Sequence, residues 1–407
     1  MRPPKPSVLQ RVLLVHDYAG SRGGAELVMQ DMRGELRRRG IDARLMASTV
    51  DPTDPAAAPD YPFQGSAGVF RAIRETVNPD AVRVARRAVR KFDPQIVHLG
   101  MFLTQASPAV LPVFRERAVV WVPNEFRPIC PRGTRFLPDG QPCRHPVGKA
   151  CLEHRCFRVH GLAPRLFQLA LLKRWRAVVD LVVSPSRAFA DELERHGLHV
   201  DAVVPHGTRI PPSPMPPASV PAVLGFAGRL VPEKGVPILL EALALLPPSL
   251  AEIRLRIAGD GPDRSMLERL ARRLGLSDRV DFLGHVSRED VQRMLASVAV
   301  QVVPSVWAEP FGLVVVEAMA RGTPVMASAT GALSELLDDG RTGYLVPPGD
   351  AGALARRLAQ VLADPAGLES VRREARRVAC DVFSLERVTD QLLSLYAGLL
   401  DTSVASR

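Results

Sequence analysis

The chain has 407 residues, 46% of them hydrophobic, and a formal net charge of +10. That length exceeds one ordinary core and suits two domains of roughly 200 residues each. The positive balance favours acidic partners such as nucleotide diphosphates, phosphorylated lipids or an anionic membrane surface. Nucleic acid is set aside, because no zinc-finger, RNP or long basic-arm pattern accompanies an aromatic content of only 5%.

The first ten residues carry positive charge but lead only into the short apolar run 12–15 before His16 and Asp17, which reads as a buried first strand and not a signal peptide. No run of 18 apolar residues occurs, so no spanning helix is predicted and the expected location is cytoplasmic, with membrane association left open. A strand over 11–16, a glycine loop over 20–24 and an amphipathic helix over 25–39 ending at Gly40 come first. The basic stretch 71–91, with Arg83, Arg86, Arg87 and Arg90, reads either as a solvated helix face or as a docking surface for an acceptor or a membrane. Strand-like runs follow at 95–99, 118–122, 181–184 and 202–205. Short buried strands separated by helices imply a parallel sheet covered on both faces.

Between the second and third of these runs, Cys130, Cys143, Cys151 and Cys156 are interleaved with His145, His154 and His160 in an insertion near 127–160. Their spacings of 12, 7 and 4 intervening residues leave three readings open: a closed structural zinc site, two disulfides, or unpaired thiols. Cys380 is isolated and reads as a core residue. A proline-dense stretch over 211–221 can neither join a sheet interior nor continue a helix, and reads as an extended linker.

The second half restarts with strands over 222–227, 253–258, 280–283, 300–303 and 324–327, and helices over 235–246, 264–274 and 289–296. The predicted organisation is therefore a domain over 1–210, the linker, a domain over 222–384 and a final apolar-periodic helix within 385–407 that carries Tyr396. Between the fourth and fifth of these strands, Glu309 and Glu317 stand eight residues apart across a loop-to-helix junction. Pro310 biases Glu309 toward extended backbone, and the apolar run that starts at Gly312 reads as a buried helix. Glu317 then lies roughly 6 to 8 Å along the axis from the free amides of Phe311, Gly312 and Leu313. Those amides form the positive end of a helix dipole and suit a diphosphate without a bound metal. Arg229, in Gly228-Arg229-Leu230, and Lys234, in Glu233-Lys234-Gly235, sit after the first strand of this half, where a fixed cation stabilises charge developing on a leaving group. The tight turn Gly259-Asp260-Gly261 reads as structural.

The E-x7-E run from Glu309 to Glu317, the G-R-L-x-x-E-K-G pattern and the Gly23-Gly24-Ala25-Glu26 loop together resemble glycosyltransferase family 4, and the resemblance spans nearly the whole chain. It implies an α/β fold of two doubly wound Rossmann-like domains facing across a cleft (GT-B), with the last helix crossing back to the first domain. The implied activity is transfer of a hexose-type sugar, with retention, from a nucleotide diphosphate donor to an acceptor held by the first domain, through a front-face mechanism. The acceptor is unknown, a lipid-linked one among the options, and no cofactor is required for catalysis. On this resemblance Glu309 binds sugar hydroxyls, Arg229, Lys234 and the amides of Phe311 to Leu313 bind the diphosphate, Glu317 binds the ribose, and Gly24 abuts the donor phosphate. His98 stands where the family often has a cleft histidine, although a satisfied structural histidine reads equally well. Asn124 takes the place of a family histidine that contacts the transferred sugar, and an amide there bonds but does not titrate. A sugar-nucleotide epimerase of the same fold and a non-catalytic glycan- or partner-binding protein are the alternatives.

Overall fold

Strand β1 (Arg11–Tyr18) is buried continuously from Val12 to Asp17, on both of its faces, which a strand requires when helices cover both sides of its sheet. The computed structural model describes residues 9–20, 23–50, 57–66, 71–212 and 222–405; Ser21 and Arg22 of the glycine loop and 213–221 of the expected linker lie outside the described residues. The chain continues through α1 (Gly24–Arg38), β2 (Asp42–Ser48), β3 (Tyr61–Phe63), α2 (Arg71–Thr76), α3 (Pro79–Phe92), β4 (Ile96–Leu99), β5 (Ala118–Trp121), α4 (Lys149–Glu153), α5 (Val159–Trp175), β6 (Leu181–Ser184), α6 (Arg187–Arg195) and β7 (Ala202–Val203). Among the described residues these strands form a seven-stranded parallel sheet in the order β3-β2-β1-β4-β5-β6-β7.

The second sheet is built from β8 (Val223–Ala227), α7 (Val236–Ala244), β9 (Arg254–Ala258), α8 (Arg264–Arg273), β10 (Val280–Gly284), α9 (Arg288–Ser297), β11 (Val300–Val303), α10 (Leu313–Arg321), β12 (Val325–Ser328), α11 (Leu333–Leu336) and β13 (Tyr344–Val346), and is followed by α12 (Ala351–Leu362), α13 (Pro365–Val382) and α14 (Leu385–Ala405). It has six parallel strands among the described residues, in the order β10-β9-β8-β11-β12-β13. In each sheet the chain winds outward on one side of its first strand and then returns to wind out on the other. The carboxyl ends of β1 with β4, and of β8 with β11, are therefore the two switch points where an open sheet leaves a crevice.

The chain divides into two compact units. The first holds Met1–Pro138, Cys143–His206 and Leu385–Arg407, and the second holds Asp139–Pro142 and Gly207–Ser384. Residues 207–210, expected with the first half, group with the second, where Thr208 donates its amide to Phe383 O at 2.8 Å. Helix α14 buries Val388, Leu392, Tyr396 and Leu400 in one cluster with Val12, Leu14, Ile96 and Val120 of the first sheet. Arg39 fastens its start by ion pairing with Asp390 and by donating to Glu386 O at 2.8 Å.

Candidate active site

At the second switch point backbone bonds tie the loop after β8 to those after β11 and β9, and the loop after β11 to the one after β12. Val306 N donates to Glu233 O at 3.0 Å, Leu230 N to Asp260 O at 2.9 Å, and Ala332 N to Glu309 O at 3.1 Å. Two glycines make this approach possible. Gly235 has φ 67° and a Cβ there would stand 2.0 Å from Pro304 O, and Gly259, at φ 149°, would set one 1.9 Å from Gly228 O. Side chains are therefore presented on a rigid frame.

Lys234 Nζ lies 2.6 Å from Glu309 Oε1, and Ser305 Oγ donates to the same oxygen at 2.6 Å. The ammonium also stands 5.6 Å from the centroid of the Trp307 ring, within cation–π range. Burial alone would raise the Glu309 carboxyl; Lys234, with Ser305 and Trp307, more than offsets it and holds the group below the usual carboxylate range. Three residues further on, Gly312 takes φ 111° and starts α10, as expected for a residue that turns an extended loop into a helix. The amides of Gly312 and Leu313 have no hydrogen-bond partner among the described residues. Phe311 is buried against Phe383, with ring centroids 6.3 Å apart, so it anchors the loop in the core. Arg229 is exposed, and its guanidinium has no ion-pair or hydrogen-bond partner among the described residues. One paired cation, one free cation and an open helix terminus thus stand on the loops of a single switch point. Glu317, on the same helix, is buried and lies 3.6 Å from Arg288 of α9, while Arg321 donates to its carbonyl at 2.8 Å.

In the first unit the sequence expectations divide. Gly24 opens α1 and is exposed there. His98, expected as a donor contact, is 1% exposed, and its Nδ1 meets Tyr396 Oη of α14 at 2.6 Å. The structure uses it as a core residue: burial, with His206 and His16 nearby, lowers its pKa to about 3 and keeps the ring neutral. Asn124 follows β5 and keeps a buried Oδ1 with no hydrogen-bond partner among the described residues. An orphaned amide oxygen of this kind costs about 1–3 kcal/mol, which a ligand hydroxyl would recover. Beside it, burial raises the Glu125 carboxyl despite Arg127, whose Nε donates to it at 3.2 Å.

Residues 22–210 match the family model for Glycosyltransferase Family 4, and residues 216–378 match that for Glycosyl transferases group 1. The chain belongs to glycosyltransferase family 4. Among curated relatives it is 37% identical over 182 residues to the lipopolysaccharide core biosynthesis glycosyltransferase LpsE of Rhizobium meliloti, covering 45% of this chain and 51% of that one. It is 42% identical over 182 residues to the D-inositol 3-phosphate glycosyltransferase of Mycolicibacterium smegmatis, covering 43% and 40%. The matches thus span about half the length of these relatives or less. Anabaena Alr3699/HepE, solved in complex with UDP-glucose, shares the fold at a TM-score of 0.70 over 98% of this chain and 100% of that one, at 22% identity. The two parallel-sheet units of this family 4 chain make a GT-B fold.

Around the family motifs, Ser305, Trp307 and Arg288 were not singled out from the sequence. Ser305 and Trp307 carry a signal in hindsight, since a hydroxyl and an indole closely precede Glu309, whereas Arg288 approaches Glu317 only through the packing of α9 on α10. In the insertion, Cys130, Cys143, Cys151 and Cys156 are all free thiols, and with His145 they line one small pocket. Among the described residues no group of three or more His, Cys, Asp or Glu is placed to hold a metal ion. Burial raises the Cys156 thiol.

Proposed function

We propose that the protein transfers a hexose-type sugar from a nucleotide diphosphate donor to an acceptor, with retention of anomeric configuration. The observation that carries this reading is the Lys234–Glu309 pair, 2.6 Å apart, in which Glu309 shares its loop with the unpartnered amides of Gly312 and Leu313 and Lys234 stands on the neighbouring one. In this reading the diphosphate sits on those amides, and Lys234 with Arg229 stabilises the charge that develops as the bond from sugar C1 to phosphate oxygen breaks. Glu309 then shares its carboxylate between Lys234 and the sugar hydroxyls, and Glu317 takes the ribose. The departing phosphate oxygen accepts the acceptor's proton on the same face, so the mechanism needs no protein nucleophile. Two cations and a helix terminus do the work a divalent metal does elsewhere, and turnover is expected to persist in a chelator.

The name of one relative favours an acceptor of the cell envelope, and Asn124 Oδ1, buried in the first unit with no partner among the described residues, is free to read a hydroxyl. A panel of nucleotide sugars screened by thermal shift identifies the donor, because a ligand that binds the folded state stabilises it by RT ln(1 + [L]/Kd). The anomeric coupling constant of the product then gives the stereochemistry. An inverted product overturns retention, donor turnover without any acceptor indicates an epimerase, and no stabilisation by any nucleotide sugar sinks the reading altogether.

A further inference from the structure

Helix α5 (Val159–Trp175) is rich in apolar residues that are not confined to one face, and only part of it is buried. Leu162, Gln168 and Leu172 face the protein, and Gln168 donates to Glu75 O and, at 2.7 Å, to Leu103 O. Val159, Ala163, Leu166, Phe167 and Ala170 recur at helical spacing on the outside and are exposed, Val159 at 71% and Phe167 at 57%. Helix α2 lies alongside, with Thr76 Oγ1 donating to Pro164 O at 3.2 Å and Arg165 pairing with Glu75; it exposes Ile73, and Val77 just after its end is exposed too. Four of the nine exposed large apolar side chains among the described residues stand on these two helices, and a fifth, Val77, directly follows α2. So dense an apolar face on an otherwise polar surface marks a contact site.

Charge selects the partner. Residues 154–179 contain no Asp or Glu, and Arg155, Arg158, Lys173 and Arg174 are all exposed within them. A face that combines Val, Leu and Phe with flanking cations and no acids suits the headgroup region of an anionic bilayer. Helix α5 does not cross one: its 17 residues rise about 26 Å, short of a bilayer core of about 30 Å, and no helix described is long and apolar enough to span. The basic face of α3, by contrast, exposes Arg83, Arg86 and Arg90 but no large apolar side chain, which leaves it a solvated surface.

We propose that the outer face of α5, extended by Ile73 of α2 and by Val77 just after it, docks the protein on anionic membrane by laying Leu166 and Phe167 into the acyl boundary while Lys173, Arg174, Arg155 and Arg158 meet the headgroups. The inference stands independently of the transfer reaction. The test is co-sedimentation of the full chain with vesicles of phosphatidylcholine alone or with 30% phosphatidylglycerol, at low and high salt. Binding is expected only with the anionic lipid. Leu166→Glu with Phe167→Glu should weaken partitioning at least tenfold, and Lys173→Glu with Arg174→Glu by roughly fivefold per cation, since each contributes about 1 kcal/mol. All these side chains are exposed, so the variants should melt as the wild type does. No partitioning onto the anionic vesicles, or equal partitioning by the Leu166→Glu/Phe167→Glu protein, overturns the proposal. So does a wild-type dimer in sedimentation velocity that Phe167→Glu abolishes while vesicle binding stays absent, because the face would then belong to a second copy.

Discussion

The two switch points handle the same problem in opposite ways. In the first unit the loop after β4 turns three successive amides, those of Thr104, Gln105 and Ala106, onto the Asp17 carboxylate at 2.7 to 2.9 Å, and the Thr104 hydroxyl joins them at 2.5 Å. That is an anion-binding nest filled by the protein's own side chain. In the second unit the amides of Gly312 and Leu313 are left open, with Lys234 and Arg229 on the neighbouring loop. The first nest is structural because its anion is covalently attached; the amides of the second have no such partner among the described residues.

The sharpest way to break this contrast is at the cations. Lys234→Ala or Arg229→Ala should lower turnover by roughly 10² to 10³, the scale of one lost transition-state stabiliser, with a smaller fall in donor affinity. Steady-state rates at saturating donor decide it, and wild-type rates in both variants would move the diphosphate elsewhere. Asp17→Asn attacks the other nest. An amide in place of the carboxylate sets an N–H against buried donors and should cost about 1–3 kcal/mol in urea unfolding, while nucleotide binding to the second unit stays unchanged. Loss of nucleotide affinity with intact stability would mean that Asp17 faces a ligand.

A smaller effect is expected at Asn124. Removing the amide in Asn124→Ala should lower kcat/KM by about tenfold and shift preference between donors that differ at one hydroxyl, because a site built to bond a hydroxyl discriminates by that bond. Initial rates with two such donors, unchanged in rate and preference, would remove Asn124 from the sugar. The smallest effect per step concerns acid. His98 and His206 are buried with pKa values lowered by desolvation to about 3 and about 4, whereas the unfolded chain protonates them near 6.5. The unfolded state therefore holds more protons across that window, and stability falls with pH by about 1.4 kcal/mol per unit for each ring. Glu309 acts in the same direction but in a lower pH window. Its pair with Lys234 is present above the ordinary carboxylate range and is lost only as pH falls through its depressed pKa, so the second unit should outlast the first between pH 6.5 and 4. Urea titrations at stepped pH, with His98→Gln halving the slope, test this order.

Much of the architecture was legible because apolar runs such as 11–16 and 300–303 are short, continuous and bounded by polar turns, which only a covered parallel strand explains. Gly312 and Gly235 were legible for the same local reason, since each sits where a chain must change direction. Long-range partners were not. Nothing near His98 in sequence announces Tyr396, 298 residues away, and the ring's burial depends on that helix arriving. Arg288 is similarly invisible beside Glu317 until α9 packs. Strand β3 is only three residues long and carries Pro62, so its edge position, fixed by pairing with β2, could not be read from periodicity.

Helix α14 gives the molecule an order of manufacture. All of Gly207–Ser384 leaves the ribosome after most of the first unit and before the helix that closes that unit's core. At synthesis rates of about 5–20 residues per second, the slot for Tyr396 stands open for on the order of ten seconds or more, with His98 and its apolar neighbours facing water. The later unit can therefore mature while the earlier one waits. A nascent chain stalled before Leu385 would hold a finished second unit tethered to an unfinished first one, and that interval is when a chaperone has most to shield.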